Sequence, residues 1–108
     1  MDTFPYSGGL TTCESLWMGV PVVTAPGETF ASRHSFSHLT TVGLSETVVK
    51  DLNDYVELAV DLALDPSRLT ALRAGLRVQM QASPLCDAPR FARNLLTILH
   101  AIWRERCE

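Results

Sequence analysis

The residues best suited to chemistry lie together near the amino terminus, in the run Ser7-Gly8-Gly9-Leu10-Thr11-Thr12-Cys13-Glu14. Gly8 and Gly9 allow the backbone to turn tightly and to approach a ligand without a clash from a Cβ atom. Thr11 and Thr12 follow where a helix is predicted to begin, and the unpaired backbone N–H groups of a helix start favour negative charge. The run therefore predicts a phosphate-binding site, although plain capping of the helix by the two threonines would explain the same residues.

Glu14 lies one helical turn beyond the predicted phosphate donors. A carboxylate has two oxygens and suits two adjacent O–H donors, such as the two hydroxyls of a ribose. The spacing thus predicts that Glu14 binds a pentose behind the phosphate site. The alternative is a solvated glutamate in a first helical turn, which the helix dipole also favours.

Four further polar residues, Glu28, Arg33, His34 and His38, lie in and after the next loop. Arg33 could pair with Glu28, brace the loop near a sugar phosphate, or be solvated, and we favour a structural brace by Glu28 and Arg33. His34 and His38 are spaced like two metal ligands on one helix face, but no third ligand lies nearby in the sequence. We therefore expect surface or capping histidines and no metal site.

The elements that must position these residues follow from the apolar pattern. The first helix is predicted to stop at Gly19, and the continuous apolar run of residues 20–25 has the length of a buried parallel strand. A loop, a short helix and a buried strand in that order are typical of the second half of a βαβ unit. Residues 46–49 are predicted to form a last edge strand. The expected fold class is α/β, a partial Rossmann-like unit with a short parallel sheet and several C-terminal helices.

Helices are predicted for most of the remaining chain. Thr29 or Ser32 could cap a second helix that Gly43 closes, and further helices are expected to start at Asp51 and at Asp65-Pro66. A final helix opens after Ser83-Pro84, and its apolar residues recur at helical spacing. They are Phe91, Leu95, Ile98, Leu99, Ile102 and Trp103.

Composition narrows the class of protein. With 108 residues, 46% of them hydrophobic and 19% charged, the chain is expected to be one small globular domain or part of a larger one. A net charge of -3 disfavours broad binding to nucleic acid. Three widely spaced cysteines suggest reduced thiols, and no apolar run is long enough to span a bilayer, so we expect a cytoplasmic protein that does not enter a membrane.

Four segments together carry a resemblance to a known family: DTFPY at residues 2–6, TTCESLWMGVPVVT at 11–24, PGETFASR at 26–33 and SPLCD at 83–87. In this order and spacing they resemble the C-terminal portion of protein O-GlcNAc transferases, specifically the bacterial TPR-linked and plant SPINDLY-like branch. The resemblance runs from Asp2 to about Trp103 and implies a GT-B glycosyltransferase.

The resemblance implies a role for each candidate residue. Gly8, Gly9, Thr11 and Thr12 would contact the diphosphate of UDP-GlcNAc, and Glu14 would bind the ribose. SPINDLY-like relatives can use GDP-fucose instead, and the resembled enzymes need no bound metal or other cofactor. Animal members tend to have His-Thr-Thr where this chain has Gly9-Leu10-Thr11, so Leu10 removes one hydroxyl from the expected set of donors.

The resemblance also implies that the catalytic groups and the acceptor site lie upstream of this segment, so the catalytic residues are unknown. Residues 1–108 are then expected to be the C-terminal, nucleotide-sugar-binding fragment of an enzyme that transfers GlcNAc to Ser or Thr of proteins, inactive alone. The acceptor would be reached through an N-terminal half and TPR repeats.

The final helix would pack on that N-terminal half, so we expect its apolar stripe to be exposed here and to allow self-association. The alternatives are a non-enzymatic α/β interaction module that docks through this helix, and a fragment of a GT-B nucleotide-sugar epimerase.

Overall fold

Five α-helices carry most of the chain in a computed structural model, which describes residues 1–107. They are α1 (Leu10–Trp17), α2 (His34–Val42), α3 (Leu52–Leu64), α4 (Pro66–Ala82) and α5 (Ala88–Cys107). Short 3₁₀ turns lie at Phe30–Ser32, Ser45–Thr47 and Pro84–Cys86. The predicted series of helices is therefore confirmed.

The hydrophobic core lies where α1, α2 and α4 meet. Leu16, Leu39 and Leu76 are fully buried there, one from each helix. Val22, from the segment between α1 and α2, and Met80, near the end of α4, belong to the same cluster. Because Leu16 is the penultimate residue of α1, the core anchors the C-terminal end of that helix.

Local capping explains the predicted helix boundaries. Asp51 Oδ1 accepts hydrogen bonds from the backbone N–H groups of Asn53 and Asp54, at 2.8 and 3.0 Å, and so starts α3. Asp65 accepts from the N–H of Arg68 at 2.9 Å and Pro66 stands at the first position of α4. Gly43 closes α2 with φ of 85°, a left-handed conformation that favours glycine.

The start of α2 is capped differently from the prediction. Neither Thr29 nor Ser32 caps this helix; instead Ser7, 27 residues away, accepts the N–H of His34 at 2.8 Å. The N–H of Ser35 lies 3.4 Å from the same oxygen. The cap is therefore a tertiary contact that ties the glycine loop to α2.

The predicted α/β fold with a partial Rossmann-like parallel sheet is wrong, since the structure contains no strand within residues 1–107. The apolar run of residues 20–25 is extended, and Val22, Val23 and Thr24 are buried as expected. Its pairing, however, is a single parallel bridge between Thr24 and Val48. Thr24 N–H donates to Thr47 O and Val49 N–H donates to Thr24 O, each at 3.0 Å.

The missing sheet has a physical reason on each side of this segment. Residues 45–47 curl into a 3₁₀ turn, so the N–H groups of Thr47 and Val48 bond to Leu44 O and Ser45 O rather than continuing a ladder. On the other side, the start of the chain makes one backbone hydrogen bond to this segment, from Asp2 N–H to Val23 O at 3.0 Å, and one bond does not make a ladder. Burial of the centre of the run was therefore predicted correctly, but Val20 is exposed and the repeated pairing that defines a strand does not form.

The molecule, including α5, measures 59 × 29 × 18 Å along its principal axes, and α5 projects from the helices that form the core. None of its residues is buried. Its large apolar side chains are each between 42% and 66% exposed, which confirms the expected exposed stripe. Among residues 1–107, no helix combines the length and the apolar character needed to cross a bilayer.

Candidate anion-binding site

The backbone of Gly8 is held on both sides by other residues. Its N–H donates to Asp2 Oδ1 at 2.7 Å. Its carbonyl oxygen lies 3.0 Å from Thr12 Oγ1 and 2.9 Å from Ser35 Oγ. A Cβ atom at this position would lie 2.6 Å from Thr12 Oγ1 and 2.9 Å from Thr11 Oγ1, so only glycine fits without displacing a neighbour.

Asp2 links this loop to two other parts of the chain. Its Oδ2 accepts the hydroxyl of Thr24 at 2.7 Å, and its carbonyl oxygen accepts the phenol of Tyr55 at 2.6 Å. Burial, together with the nearby Asp2 carboxylate, raises the pKa of Tyr55 and keeps this phenol a proton donor. Sequence reasoning used Asp2 only as part of the family resemblance and missed this role, because no local pattern shows that a residue near the terminus meets Gly8.

The two threonines lie in the first turn of α1, where the sequence placed them, but they face different ways. Thr12 is buried, and its hydroxyl lies 2.7 Å from Ser35 Oγ besides its contact with Gly8. Thr11 is exposed. The N–H groups of Leu10, Thr11 and Thr12 precede the first intrahelical bond, which Cys13 N–H makes to Gly9 O at 3.4 Å. The amides of the exposed residues Leu10 and Thr11, together with the Thr11 hydroxyl, therefore remain open to a ligand at this helix start, whereas Thr12 is only 3% exposed.

Glu14 is exposed, three residues after Thr11 on α1. Residues three apart on a helix lie on neighbouring parts of its surface, so the carboxylate is on the same side as the exposed threonine. Glu14 also lines a groove with Trp17, Met18 and Met80. This arrangement leaves the carboxylate accessible, and its binding role stays a prediction.

Arg33 contacts the turn that precedes α2. Its Nη1 donates to Gly27 O at 2.9 Å, and its guanidinium carbon lies 4.5 Å from the centre of the Phe36 ring. The side chain thus holds the turn through a backbone carbonyl, while Glu28 in the same turn is exposed. Whether this turn meets a sugar phosphate stays a prediction for both residues.

The two histidines of α2 lie in different surroundings. His34 meets the rings of Tyr6 and Phe30 edge to face, with ring centres 5.5 and 4.7 Å away, and its Nε2 is buried without a hydrogen-bond partner in the described residues. Burial lowers the pKa of His38, and neighbouring His34 adds to this effect. No group of three or more His, Cys, Asp or Glu side chains within residues 1–107 is placed to bind a metal ion.

Comparison with known proteins identifies the family. The sequence model described as glycosyl transferase family 41 matches residues 1–95. The chain belongs to glycosyl transferase family 41. This match covers the loop around Gly8, all of α1 to α4 and the start of α5. It confirms the resemblance to O-GlcNAc transferases and SPINDLY proteins that the sequence motifs carry.

Relatives within family 41 include plant, animal and bacterial proteins. The chain is 48% identical over 108 residues to the probable UDP-N-acetylglucosamine–peptide N-acetylglucosaminyltransferase SPINDLY of Solanum lycopersicum, and 49% identical to that of Oryza sativa. It is 34% identical over 104 residues to the UDP-N-acetylglucosamine–peptide N-acetylglucosaminyltransferase of Caenorhabditis elegans. These matches cover 100%, 100% and 96% of this chain but 12%, 12% and 9% of the relatives.

A solved bacterial structure has the same fold over this segment. A mutant O-GlcNAc transferase of Thermobaculum terrenum matches with a TM-score of 0.89 and 39% identity. The match covers 98% of this chain and 20% of that protein. The helices and loops described above therefore match one segment of that larger protein.

Proposed function

We propose that this chain is the nucleotide-sugar-binding part of a glycosyltransferase that transfers GlcNAc from UDP-GlcNAc to Ser or Thr residues of proteins. The observation that carries the proposal is the glycine loop before α1. Backbone amides there stay open to a ligand, next to the Gly8 carbonyl, which accepts a hydrogen bond from Ser35. Support comes from the names of the relatives, which are peptide N-acetylglucosaminyltransferases that use UDP-N-acetylglucosamine.

In this proposal the diphosphate binds at the start of α1. The amides of Gly9, Leu10 and Thr11 and the hydroxyl of Thr11 donate to its oxygens, and the helix dipole adds positive potential. A hydrogen bond to a charged group contributes about 1.5–3 kcal/mol, so several of them suffice for measurable binding. Glu14 accepts the ribose hydroxyls, and no metal or other cofactor takes part.

Transfer of the sugar requires groups beyond these. Stabilising a departing diphosphate usually needs positive charge close to it, and the one lysine of the chain, Lys50, follows the 3₁₀ turn Ser45–Thr47 rather than the glycine loop. We therefore propose that the chain alone binds the donor without transferring the sugar. Protein acceptors would be recruited by other parts of the protein, including TPR repeats, in the cytoplasm, where the three free cysteines stay reduced.

Calorimetric titration of the folded chain with UDP and with GDP tests this proposal. We expect binding of UDP, and preference for GDP would indicate a fucose donor instead. Glu14→Gln keeps the size of the side chain but removes its charge, and Glu14→Ala removes the side chain. Both should weaken UDP binding and leave the affinity for inorganic pyrophosphate unchanged, since pyrophosphate has no ribose. Absence of heat with either nucleotide would contradict the proposal.

The exposed stripe on α5 favours a second candidate function, docking onto another protein surface. A continuous apolar face with charged residues on the opposite side is typical of an interface helix. We propose that this face allows self-association of the chain. Sedimentation equilibrium should show a dimer that Ile102→Glu disrupts, whereas Thr97→Glu on the polar face should not. A monomer at every concentration would count against self-association.

A further inference from the structure

We propose that Ser35 and Thr12 are positioning residues, which aim the N–H of Gly9 at the diphosphate without touching the ligand themselves. The inference rests on the proposed function. It starts from the observation that the hydroxyl groups of both residues converge on one backbone carbonyl, that of Gly8. Sequence reasoning assigned Thr12 to the ligand and gave Ser35 no role.

The geometry of the peptide unit means that a hydrogen bond to the Gly8 carbonyl also fixes the direction of the Gly9 N–H. The Gly8 carbonyl and the Gly9 N–H belong to the same planar trans peptide unit, so they point to opposite sides of the chain. The two hydroxyls hold the carbonyl towards the interior, where Ser35 is 0% and Thr12 is 3% exposed. The Gly9 N–H must then point away from the interior, next to the open amides of the first turn of α1.

The hydrogen count of the cluster shows that both hydroxyls are engaged within it. Three short contacts join Thr12 Oγ1, Ser35 Oγ and Gly8 O, at 2.7, 2.9 and 3.0 Å. Two hydroxyl groups supply two protons for these three contacts. Either one proton bridges the two hydroxyl oxygens while the other reaches the carbonyl, or both protons reach the carbonyl. Removal of one hydroxyl therefore takes one proton out of this buried cluster and leaves the carbonyl a single side-chain donor.

Ser35 can act in this way because its own position is fixed. Its helix is capped by Ser7, whose oxygen accepts the His34 N–H and whose hydroxyl donates to Ala31 O at 3.1 Å. On the opposite side, Asp2 holds the Gly8 N–H. The peptide units before and after Gly8 are therefore both held, although glycine pairs rotate easily when they are free.

Thr12 offers the matched pair of variants that tests the proposal. Thr12→Ser keeps the hydroxyl, and Thr12→Val keeps the shape but removes it. We expect Thr12→Val and Ser35→Ala each to weaken UDP binding roughly 10-fold or more, the value of one hydrogen bond to a charged group, and Thr12→Ser to stay within about twofold. The double variant removes both side-chain donors of the Gly8 carbonyl, so it should weaken UDP binding more than either single variant.

Amide resonances separate positioning from general stability. In the wild-type chain and in Thr12→Ser, UDP should shift the Gly9 N–H resonance; in folded Thr12→Val that shift should be lost while the Thr11 N–H still responds. Loss of both shifts, or of neither, would overturn the proposal. So would UDP affinities of Thr12→Val and Ser35→Ala that match the wild type.

Hydrogen exchange without nucleotide distinguishes this inference from the proposed function. In the free wild-type chain the Gly8 amide should be protected and the Gly9 amide should exchange freely, and Thr12→Val should reduce that difference. If UDP does not bind at all, the proposed function fails and this exchange difference alone decides whether the peptide is oriented as described. Equal protection of the two amides would refute the orientation.

Discussion

Gly8→Ala is the substitution for which the structure makes the strongest prediction. The new Cβ atom would lie 2.6 Å from Thr12 Oγ1, well inside the 3.4 Å at which ordinary contact begins. The exposed Thr11 side chain can rotate away, but Thr12 is buried and its hydroxyl is committed to Gly8 and Ser35. The alanine must therefore break this buried cluster or displace α1.

The expected cost follows from two effects. Breaking a buried hydrogen bond costs about 1–3 kcal/mol, and forcing an extra methyl group into a packed region costs about 1–3 kcal/mol. Loss of backbone freedom in the unfolded state returns about 0.4–1 kcal/mol. We expect Gly8→Ala to lower the free energy of unfolding by about 2–4 kcal/mol, a large part of the typical stability of about 5–15 kcal/mol.

Gly9→Ala is the matched control. A Cβ atom there would lie 3.5 Å from His34 Nδ1, which is ordinary contact. This variant should stay within about 1 kcal/mol of the wild type. Urea unfolding followed by circular dichroism should give a midpoint about 1–3 M lower for Gly8→Ala than for Gly9→Ala. Equal midpoints for the two variants would refute the description of Gly8 as a closely surrounded position.

Four further predictions concern other parts of the chain. Leu39→Ala should lower the free energy of unfolding by about 2–5 kcal/mol in urea titrations, because Leu39 is fully buried in the core. Asp51→Ala should cost about 1 kcal/mol through the lost cap of α3, and Asp51→Asn should retain most of it. Burial lowers the pKa of His38 from 6.5, so the unfolded chain takes up this proton more readily than the folded one. The contribution of His38 to the free energy of unfolding should thus be fully present above pH 6.5 and decrease below it. In His38→Gln, urea midpoints measured on the two sides of this pH should differ less than they do in the wild type. Burial also raises the pKa of Cys13, so this thiol should react with a disulfide reagent more slowly than the two exposed thiols, and Cys13→Ser should remove the slow phase.

The α/β prediction failed for an instructive reason. Burial was correctly predicted for Val22, Val23 and Thr24 at the centre of the apolar run, but not for Val20, which is 39% exposed. Whether a buried extended segment is a strand depends on its neighbours, and here residues 45–47 turn away after one bridge. The apolar pattern of one segment carries no information about the conformation of the segment beside it.

The candidate site divides in the same way. The location of the glycine loop and of both threonines at the start of α1 could be predicted from residue types alone. The inward turn of the Thr12 hydroxyl could not, since it depends on Ser35, 23 residues further along the chain. The hydrogen bond from Gly8 N–H to Asp2 could not be predicted either, because no local sequence pattern shows that these two residues meet.

The amino-acid sequence by itself determined the family, through its motif segments, and the boundaries of α3 and α4, through Asp51 and Asp65. The two helix boundaries depend on groups within three residues of each other, whose contact is set by the local backbone. Tertiary structure alone decided that Ser7 caps α2 and that the Gly8 carbonyl faces inward. Those contacts join distant segments, and they form only because the packing of α1 and α2 around Leu16 and Leu39 brings their hydroxyl groups within bonding distance.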